Sequence, residues 1–159
     1  RGTRVSVLGA GGAARAVVAG LHAEGAAVVV HARQAAQADT VAALGARSGP
    51  WPPLPGTWDL LVNTTPVGTW PRVEESPLPA AALGGGRVYD LVYNPAETRL
   101  MREARAAGCE AIGGLEMLIA QAMEQFEWWT GERPSEKAMR AAAEARLEAM
   151  HAEDGVTDR

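Results

Sequence analysis

Residues 5–14 read VSVLGAGGAA, an apolar stretch that runs directly into a glycine-rich turn. The apolar part predicts a buried strand, and residues 12–24 predict a helix, so the turn joins a strand end to a helix start. It matches the pattern G-x-G-x-x-G/A, with small residues at Gly9, Gly11 and Ala14. Gly9 permits a tight turn, and Gly11 has no Cβ to hinder a pyrophosphate at the helix N-terminus. The stretch therefore predicts a dinucleotide-binding site, with an ordinary glycine-rich turn as the alternative.

The remaining chain repeats this alternation of strands and helices. Apolar runs predict further strands at residues 27–30, 60–62, 87–92 and 110–112. Helical patterns predict further helices at residues 35–45, 95–107, 115–130 and 135–150. This order indicates an α/β fold of the Rossmann type, a doubly wound, mostly parallel sheet flanked by helices, with two extra C-terminal helices. We assign residues 1–150 to this domain and residues 151–159 to a polar, disordered tail.

Three local features refine these expectations. Residues 47–57 read RSGPWPPLPGT, and the prolines make most of this segment a loop that has room for a short third strand. Asn94 is expected to cap the helix that follows it, with Pro95 in its first turn. Asp90 is expected to act as a structural cap, and Phe126 to lie in the core. The buried side of the first helix is expected near Ala16, Val17, Ala19, Gly20 and Leu21.

Composition excludes several classes of protein. The chain of 159 residues carries 15 Lys and Arg against 19 Asp and Glu, and a net charge of −4 argues against a nucleic-acid partner. The single cysteine, Cys109, excludes an internal disulfide, and no Cys/His cluster has the spacing of a metal site. No apolar run approaches the roughly 20 residues that span a bilayer. We expect a cytoplasmic protein without nucleic-acid, membrane or metal partners, and we interpret the start at Arg1 as a piece of a longer protein.

The end of the second predicted strand indicates which dinucleotide binds. NAD sites place Asp or Glu there to hold the ribose 2'-hydroxyl. Here residues 31–34 read HARQ, and the nearest acid, Asp39, lies too far along the following helix. Arg33 is placed to meet a 2'-phosphate through charge-assisted hydrogen bonds, or to stack on adenine. The sequence therefore favours NADP, with a solvated surface Arg33 as the alternative.

Several ordered blocks carry a family resemblance. They are GAGGA at residues 9–13, NTTPVG at 63–68, DLVYNP at 90–95 with Thr98, GLEML at 114–118 with Gln121 and Ala122, and Phe126 with WTG at 129–131. In this order and spacing, residues 4–150 resemble the C-terminal, NADP-binding domain of shikimate dehydrogenase. The resemblance implies reversible NADPH-dependent reduction of 3-dehydroshikimate to shikimate, in chorismate and aromatic amino acid biosynthesis. In that family, a lysine and an aspartate of a separate N-terminal substrate domain handle the proton, and we expect that domain to be missing here.

The resemblance also implies site residues by matching position. The phosphate turn would be Gly9, Ala10, Gly11, Gly12 and Ala13. The positions after the second strand are Ala32, Arg33, Gln34 and Gln37, where the family usually has Asn-Arg-Thr and a further basic residue, so only the arginine is kept. Thr65 would line the cofactor cleft, and contacts with the nicotinamide end of NADP are implied for Leu91, Gly114 and Met117. Substrate contacts are implied for Tyr93 and Gln121. We assign no catalytic residue, because the only lysine, Lys137, lies outside these blocks.

Two alternative functions remain open at this point. A quinate/shikimate-type or aminoshikimate-type dehydrogenase would use the same scaffold, and the missing second basic residue is compatible with it. A stand-alone dinucleotide-binding or regulatory module is the alternative from another class. The face near Met117, Gln121 and Trp128 would meet the missing domain. When bare, that face is expected to be an apolar patch that promotes self-association, for example as a homodimer.

Overall fold

The computed structural model describes residues 2–154, which form six strands and five helices. The strands are β1 (Arg4–Leu8), β2 (Ala27–His31), β3 (Arg47–Gly49), β4 (Leu60–Asn63), β5 (Arg87–Asp90) and β6 (Glu110–Ile112). The helices are α1 (Gly12–Ala23), α2 (Ala35–Ala42), α3 (Arg99–Ala106), α4 (Leu115–Thr130) and α5 (Glu136–Asp154), with a short 3-10 turn at Ala80–Ala82. All strand pairings are parallel, in the order β3-β2-β1-β4-β5-β6. The predicted doubly wound α/β fold is confirmed.

The sheet has an apolar cluster on each face, because alternate residues of a strand point to opposite sides. Val5 and Val7 of β1 lie in the cluster packed by α1 and α2. Leu8 lies in the second cluster, which contains Leu100 of α3 and the fully buried ring of Trp58. The two clusters make β1 an internal strand with apolar contacts on both sides, as parallel sheets require.

Several predicted boundaries differ from the structure. A short third strand does lie in the proline-rich segment, as β3. The helix expected at residues 95–107 begins at Arg99, since Thr98, and not Asn94, is its N-cap. Asn94 and Pro95 are joined by a cis peptide bond before the helix begins. Helix α5 continues past the predicted boundary at residue 150 to Asp154, and residues 155–159 of the predicted tail lie outside the described residues.

Two predictions of burial are wrong. The fully buried residues of α1 are Ala14 and Val18, and of the expected buried side Ala16, Ala19 and Gly20 are exposed. The remaining two, Val17 and Leu21, are partly buried, because they pack against the core cluster on one side and line an open cavity on the other. Phe126 is 38% exposed on α4 and does not lie in the core. Cys109, in contrast, is a buried free thiol.

The described part of the chain contains neither a membrane-spanning helix nor a metal-binding group of side chains. None of its helices combines the length and apolar character of a bilayer-spanning segment. Within residues 2–154, the structure also has no grouping of His, Cys, Asp and Glu side chains suited to hold a metal ion.

A buried polar network joins the carboxyl ends of β4 and β5 to the start of α3. Asn63 Nδ2 donates to Asp90 Oδ1 at 2.8 Å, and the Thr98 hydroxyl donates to Asp90 Oδ2 at 2.6 Å. The backbone N–H of Val92 donates to Asp90 Oδ1 at 3.1 Å. Burial raises the pKa of Asp90, although these three hydrogen bonds act in the opposite direction. Thr98 also accepts from the Met101 N–H at 3.2 Å, so one hydroxyl caps α3 and holds Asp90.

We expect Thr98→Val to lower the free energy of unfolding by about 3 kcal/mol near pH 7, because it removes a helix cap and a hydrogen bond to a buried carboxylate. This loss of unfolding free energy should be smaller near about pH 4, because Asp90 is then less ionised and its hydrogen bond from Thr98 is weaker. Without the Thr98 donor, the Asp90 pKa rises further, so the folded variant takes up its proton at higher pH than the wild type.

The measurement is urea unfolding of the wild type, Thr98→Val and Thr98→Ser at both pH values. Thr98→Ser keeps the hydroxyl and should stay within about 1 kcal/mol of the wild type. A Thr98→Val loss that is the same at both pH values would contradict the role of the hydroxyl in holding Asp90.

Candidate dinucleotide-binding cleft

The glycine turn leaves open space in front of α1. Gly9 has a φ of +104°, and a Cβ there would lie 2.9 Å from Thr64 Oγ1, so both conformation and space require glycine. A Cβ on Gly11 or Gly12 would meet no protein atom within 4 Å. The first N–H groups of α1 have no partner within the helix, and they border this open space.

The turn is held by backbone contacts with two neighbouring strands. The Gly9 N–H donates to the carbonyl of His31 at the end of β2 at 2.8 Å. The Thr64 hydroxyl and N–H both donate to the carbonyl of Leu8, at 2.6 and 3.0 Å. The strand order therefore places the turn between the chain segments that follow β2 and β4, at the edge where ligands bind in such sheets.

A cavity of about 720 Å³ lies on the β2 side of the turn. Its walls are Ala10 and Gly11, Arg33 and Gln37 after β2, residues 64–67 after β4, the loop at residues 72–77, Arg99 and Trp51. Of the residues expected after the second strand, Arg33 and Gln37 reach this cavity. Ala32 is instead buried in the core, and the Gln34 amide oxygen accepts a hydrogen bond from Gln37 at 2.7 Å.

Arg33 differs from the other arginines of this cavity. Arg72 lies 3.7 Å from Glu75, and Arg99 forms a 2.6 Å ion pair with Glu103. The exposed Arg33 guanidinium, in contrast, has no hydrogen-bond or ion-pair partner among the described residues. It is therefore a positive charge without an ion-pair partner, in a cavity whose lining also includes Glu74 and Glu75.

A second cavity of about 440 Å³ lies on the β5 side of the turn. It brings together the candidate residues Ala13, Thr65, Leu91, Tyr93 and Met117. Thr65 is held there by Asn63, whose Oδ1 accepts from the Thr65 N–H and hydroxyl at 3.0 and 2.7 Å.

Gly114 supports this cavity by a close backbone approach. A Cβ at Gly114 would lie 2.2 Å from the carbonyl oxygen of Leu91, and the Gly114 N–H donates to the carbonyl of Val92 at 3.1 Å. A side chain at Gly114 would therefore push Leu91 out of place.

The structure places the two residues matched to substrate contacts in two adjoining cavities. Tyr93 lines the second cavity and is 42% exposed. Gln121 lines an adjoining, largely apolar cavity of about 520 Å³ between α1 and α4. The two cavities share Ala13, Leu91 and Met117, so Tyr93 and Gln121 lie on neighbouring parts of one surface.

Sequence analysis missed several residues that line the cleft. Trp51 and Arg72 line the first cavity, and Thr64 and Pro66 line both cavities. A firm placement of β3 would have located Trp51, because a residue just after a parallel strand lies at the ligand-binding edge. The sequence offers no comparable signal for Arg72, which lies in a long irregular connection.

Comparisons with known proteins find relatives over most of this chain. The family model for the shikimate 5'-dehydrogenase C-terminal domain matches residues 114–144. Shikimate dehydrogenase (NADP(+)) of Moorella thermoacetica is 43% identical over 145 residues, which cover 82% of this chain and 49% of that protein. The chain thus spans about half the length of the curated relatives it matches.

Solved structures show the same similarity. A crystal structure of shikimate dehydrogenase in complex with NADP+ has a TM-score of 0.87 and 30% identity, covering 92% of this chain and 55% of that one. Shikimate 5-dehydrogenase from Thermus thermophilus, in complex with NADP(H) and shikimate, has a TM-score of 0.83 and 41% identity, covering 90% and 54% of the two chains.

Proposed function

Because this chain belongs to the shikimate dehydrogenase family, we propose that it is the NADP-binding domain of a shikimate dehydrogenase. The open glycine turn, followed after β2 by an unpaired Arg33 and by no carboxylate through Gln37, carries the proposal. Relatives with over 40% identity are named NADP-dependent shikimate dehydrogenases, so neither a quinate-type enzyme nor a stand-alone module is favoured. The proposal includes a cytoplasmic location, where the Cys109 thiol stays reduced.

The proposed cofactor spans the two cavities across the glycine turn. The diphosphate would face Gly11, Gly12 and the first N–H groups of α1, as the open space in front of them permits. The 2'-phosphate would lie at Arg33, which supplies a positive charge without an ion-pair partner. The nicotinamide end would lie in the second cavity, against Leu91 and Met117.

In this proposal, the residues of this chain bind and orient the cofactor and the substrate, and they do not transfer a proton. The bound nicotinamide supplies hydride transfer, whereas the protein sets its position and supplies a proton donor from elsewhere. Tyr93 offers a phenolic hydroxyl at the rim of the second cavity, and Gln121 offers an amide beside it. We propose that these two groups contact shikimate or 3-dehydroshikimate, and that the half of the relatives that this chain does not span supplies the proton donor.

Arg33→Ala is expected to weaken NADPH binding roughly 10- to 100-fold and to leave NADH binding almost unchanged, because only NADPH carries the 2'-phosphate. Isothermal titration with both cofactors measures the effect. Arg47→Ala, on β3 and outside the cleft, is the matched control and should change neither affinity. Equal losses for NADPH and NADH would contradict the assignment of Arg33.

Gln37→Arg, which adds a further cation to the same cavity, is expected to strengthen NADPH binding in the same titration.

The purified chain is expected to bind NADPH and to show no reduction of 3-dehydroshikimate. The proton donor of the family is implied to be a lysine of a separate N-terminal domain. The only lysine of this chain, Lys137, is exposed at the start of α5 and lies outside the blocks that carry the resemblance. Cofactor absorbance measures turnover, with an intact two-domain shikimate dehydrogenase as the positive control. A rate near that of the intact enzyme would show that a catalytic group lies within this chain.

The exposed ring of Trp128 lies in line with Met117 and Gln121 on one side of α4 and forms an apolar patch that is proposed to face the half of the relatives that this chain does not span. Trp128 is 82% exposed. Large aromatic rings in contact with water favour association with another apolar surface. We therefore expect the isolated chain to self-associate.

Sedimentation velocity of the wild type and Trp128→Glu at several concentrations measures this effect. The variant is expected to remain monomeric at concentrations where the wild type associates, since a carboxylate resists burial in an apolar contact. Thr130→Glu, near the same helix end but outside the patch, controls for added charge. Identical behaviour of all three proteins would exclude the patch as the cause.

A further inference from the structure

Trp51 is an aromatic wall of the cavity that holds Arg33. It follows β3 at the carboxyl edge of the sheet, the edge at which the glycine turn opens. One part of its ring packs against the core cluster that contains Leu8, and another part lines the cavity. Within the described part of the chain, Trp51 is the only aromatic residue among those that line this cavity.

A hydrogen-bond chain holds the residue next to Trp51. His31 Nδ1 lies 2.7 Å from the carbonyl oxygen of Pro50, and His31 Nε2 lies 3.1 Å from the Ser6 hydroxyl. A carbonyl oxygen can only accept, so Nδ1 carries the hydrogen and donates it. In the neutral ring, Nε2 therefore accepts, and the Ser6 hydroxyl donates to it. Burial lowers the pKa of His31, which agrees with a neutral ring.

His31 thus fastens two walls of the same cavity. Its side chain fixes Pro50, and its backbone carbonyl accepts from the Gly9 N–H of the glycine turn. Gly49 makes room for the imidazole, since a Cβ there would lie 2.7 Å from His31 Cε1. The position of Trp51 is therefore linked to strand β2 and not left to a free proline-rich loop.

The chemistry of this wall suits a flat heteroaromatic base. A phosphate bound by Arg33 would leave the adjacent adenosine in the cavity that Trp51 lines. An indole ring offers a purine a large stacking surface, and such stacking tolerates any base because it uses only the π face. We propose that Trp51 is the surface on which the adenine of the cofactor stacks, and that His31 is the positioning residue for Trp51. This inference rests on the proposed NADP-binding function.

The test uses adenosine 2',5'-bisphosphate, which carries the adenine, the ribose and the 2'-phosphate but no nicotinamide. Trp51→Leu should weaken its binding to the purified chain about tenfold, at the low end for loss of a stacked aromatic ring. Trp51→Phe should restore most of the affinity. Trp129→Leu, on α4 and outside the cavity, should have no effect. Thermal unfolding of each variant shows whether it is folded.

Fluorescence supplies a second signal. The probe should quench tryptophan emission in the wild type, and Trp51→Phe should lose this quenching while it still binds. Unchanged or tighter binding by a folded Trp51→Leu variant would overturn the proposal, since tighter binding would mean that the indole blocks the cavity. If the wild type itself fails to bind the probe, the proposed NADP function fails, and this inference fails with it.

A double-mutant cycle tests His31. His31→Leu removes the donor to Pro50 and should weaken binding of the same probe in the wild type, but not in the Trp51→Leu background. His31→Gln keeps an N–H donor and should lose less affinity than His31→Leu. An equal loss in both backgrounds would show that His31 acts through the glycine turn and not through Trp51.

Discussion

The buried contact between Asn63 and Asp90 is the constraint on which the cleft depends. These two fully buried side chains close the carboxyl ends of β4 and β5, the edge at which ligands bind. The Asn63 amide oxygen holds Thr65 in the second cavity, and the second carboxylate oxygen of Asp90 accepts from Thr98. Because each polar atom has a partner, the network fixes the loops after both strands, whereas a half-satisfied network would cost stability.

Close backbone approaches complete the geometry that this network begins. Gly9 lies against Thr64, and Gly114 lies against the carbonyl of Leu91, at distances that exclude a Cβ. Both contacts bring a chain segment from one strand end onto its neighbour. The result is a continuous edge with a cavity lined by three arginines and two glutamates on one side of the glycine turn and a largely apolar cavity on the other. The proposed function assigns the phosphorylated end of the cofactor to the first cavity and its nicotinamide end to the second.

The proposed function divides the chemistry between two halves of a longer protein. The part described here offers the first N–H groups of α1, an arginine without an ion-pair partner and a largely apolar cavity, which the proposed function uses to bind and orient a cofactor. The Trp128 ring on α4 is exposed on the side of the helix where an apolar contact is expected. The proposed function thus assigns binding and assembly to this chain and proton transfer to residues of the half of the relatives that it does not span.

The sequence by itself determined the order and type of the elements, the glycine turn and the absence of a carboxylate after β2. These features rest on local periodicity and on residue types at short spacing, which do not depend on distant contacts. The tertiary structure decided which side of α1 is buried, where α3 begins, and that Tyr93 and Gln121 lie in adjoining cavities. It also brought Trp51 and Arg72 to Arg33. Those outcomes depend on the strand order β3-β2-β1-β4-β5-β6, which sets which distant segments meet and which a one-dimensional pattern does not encode.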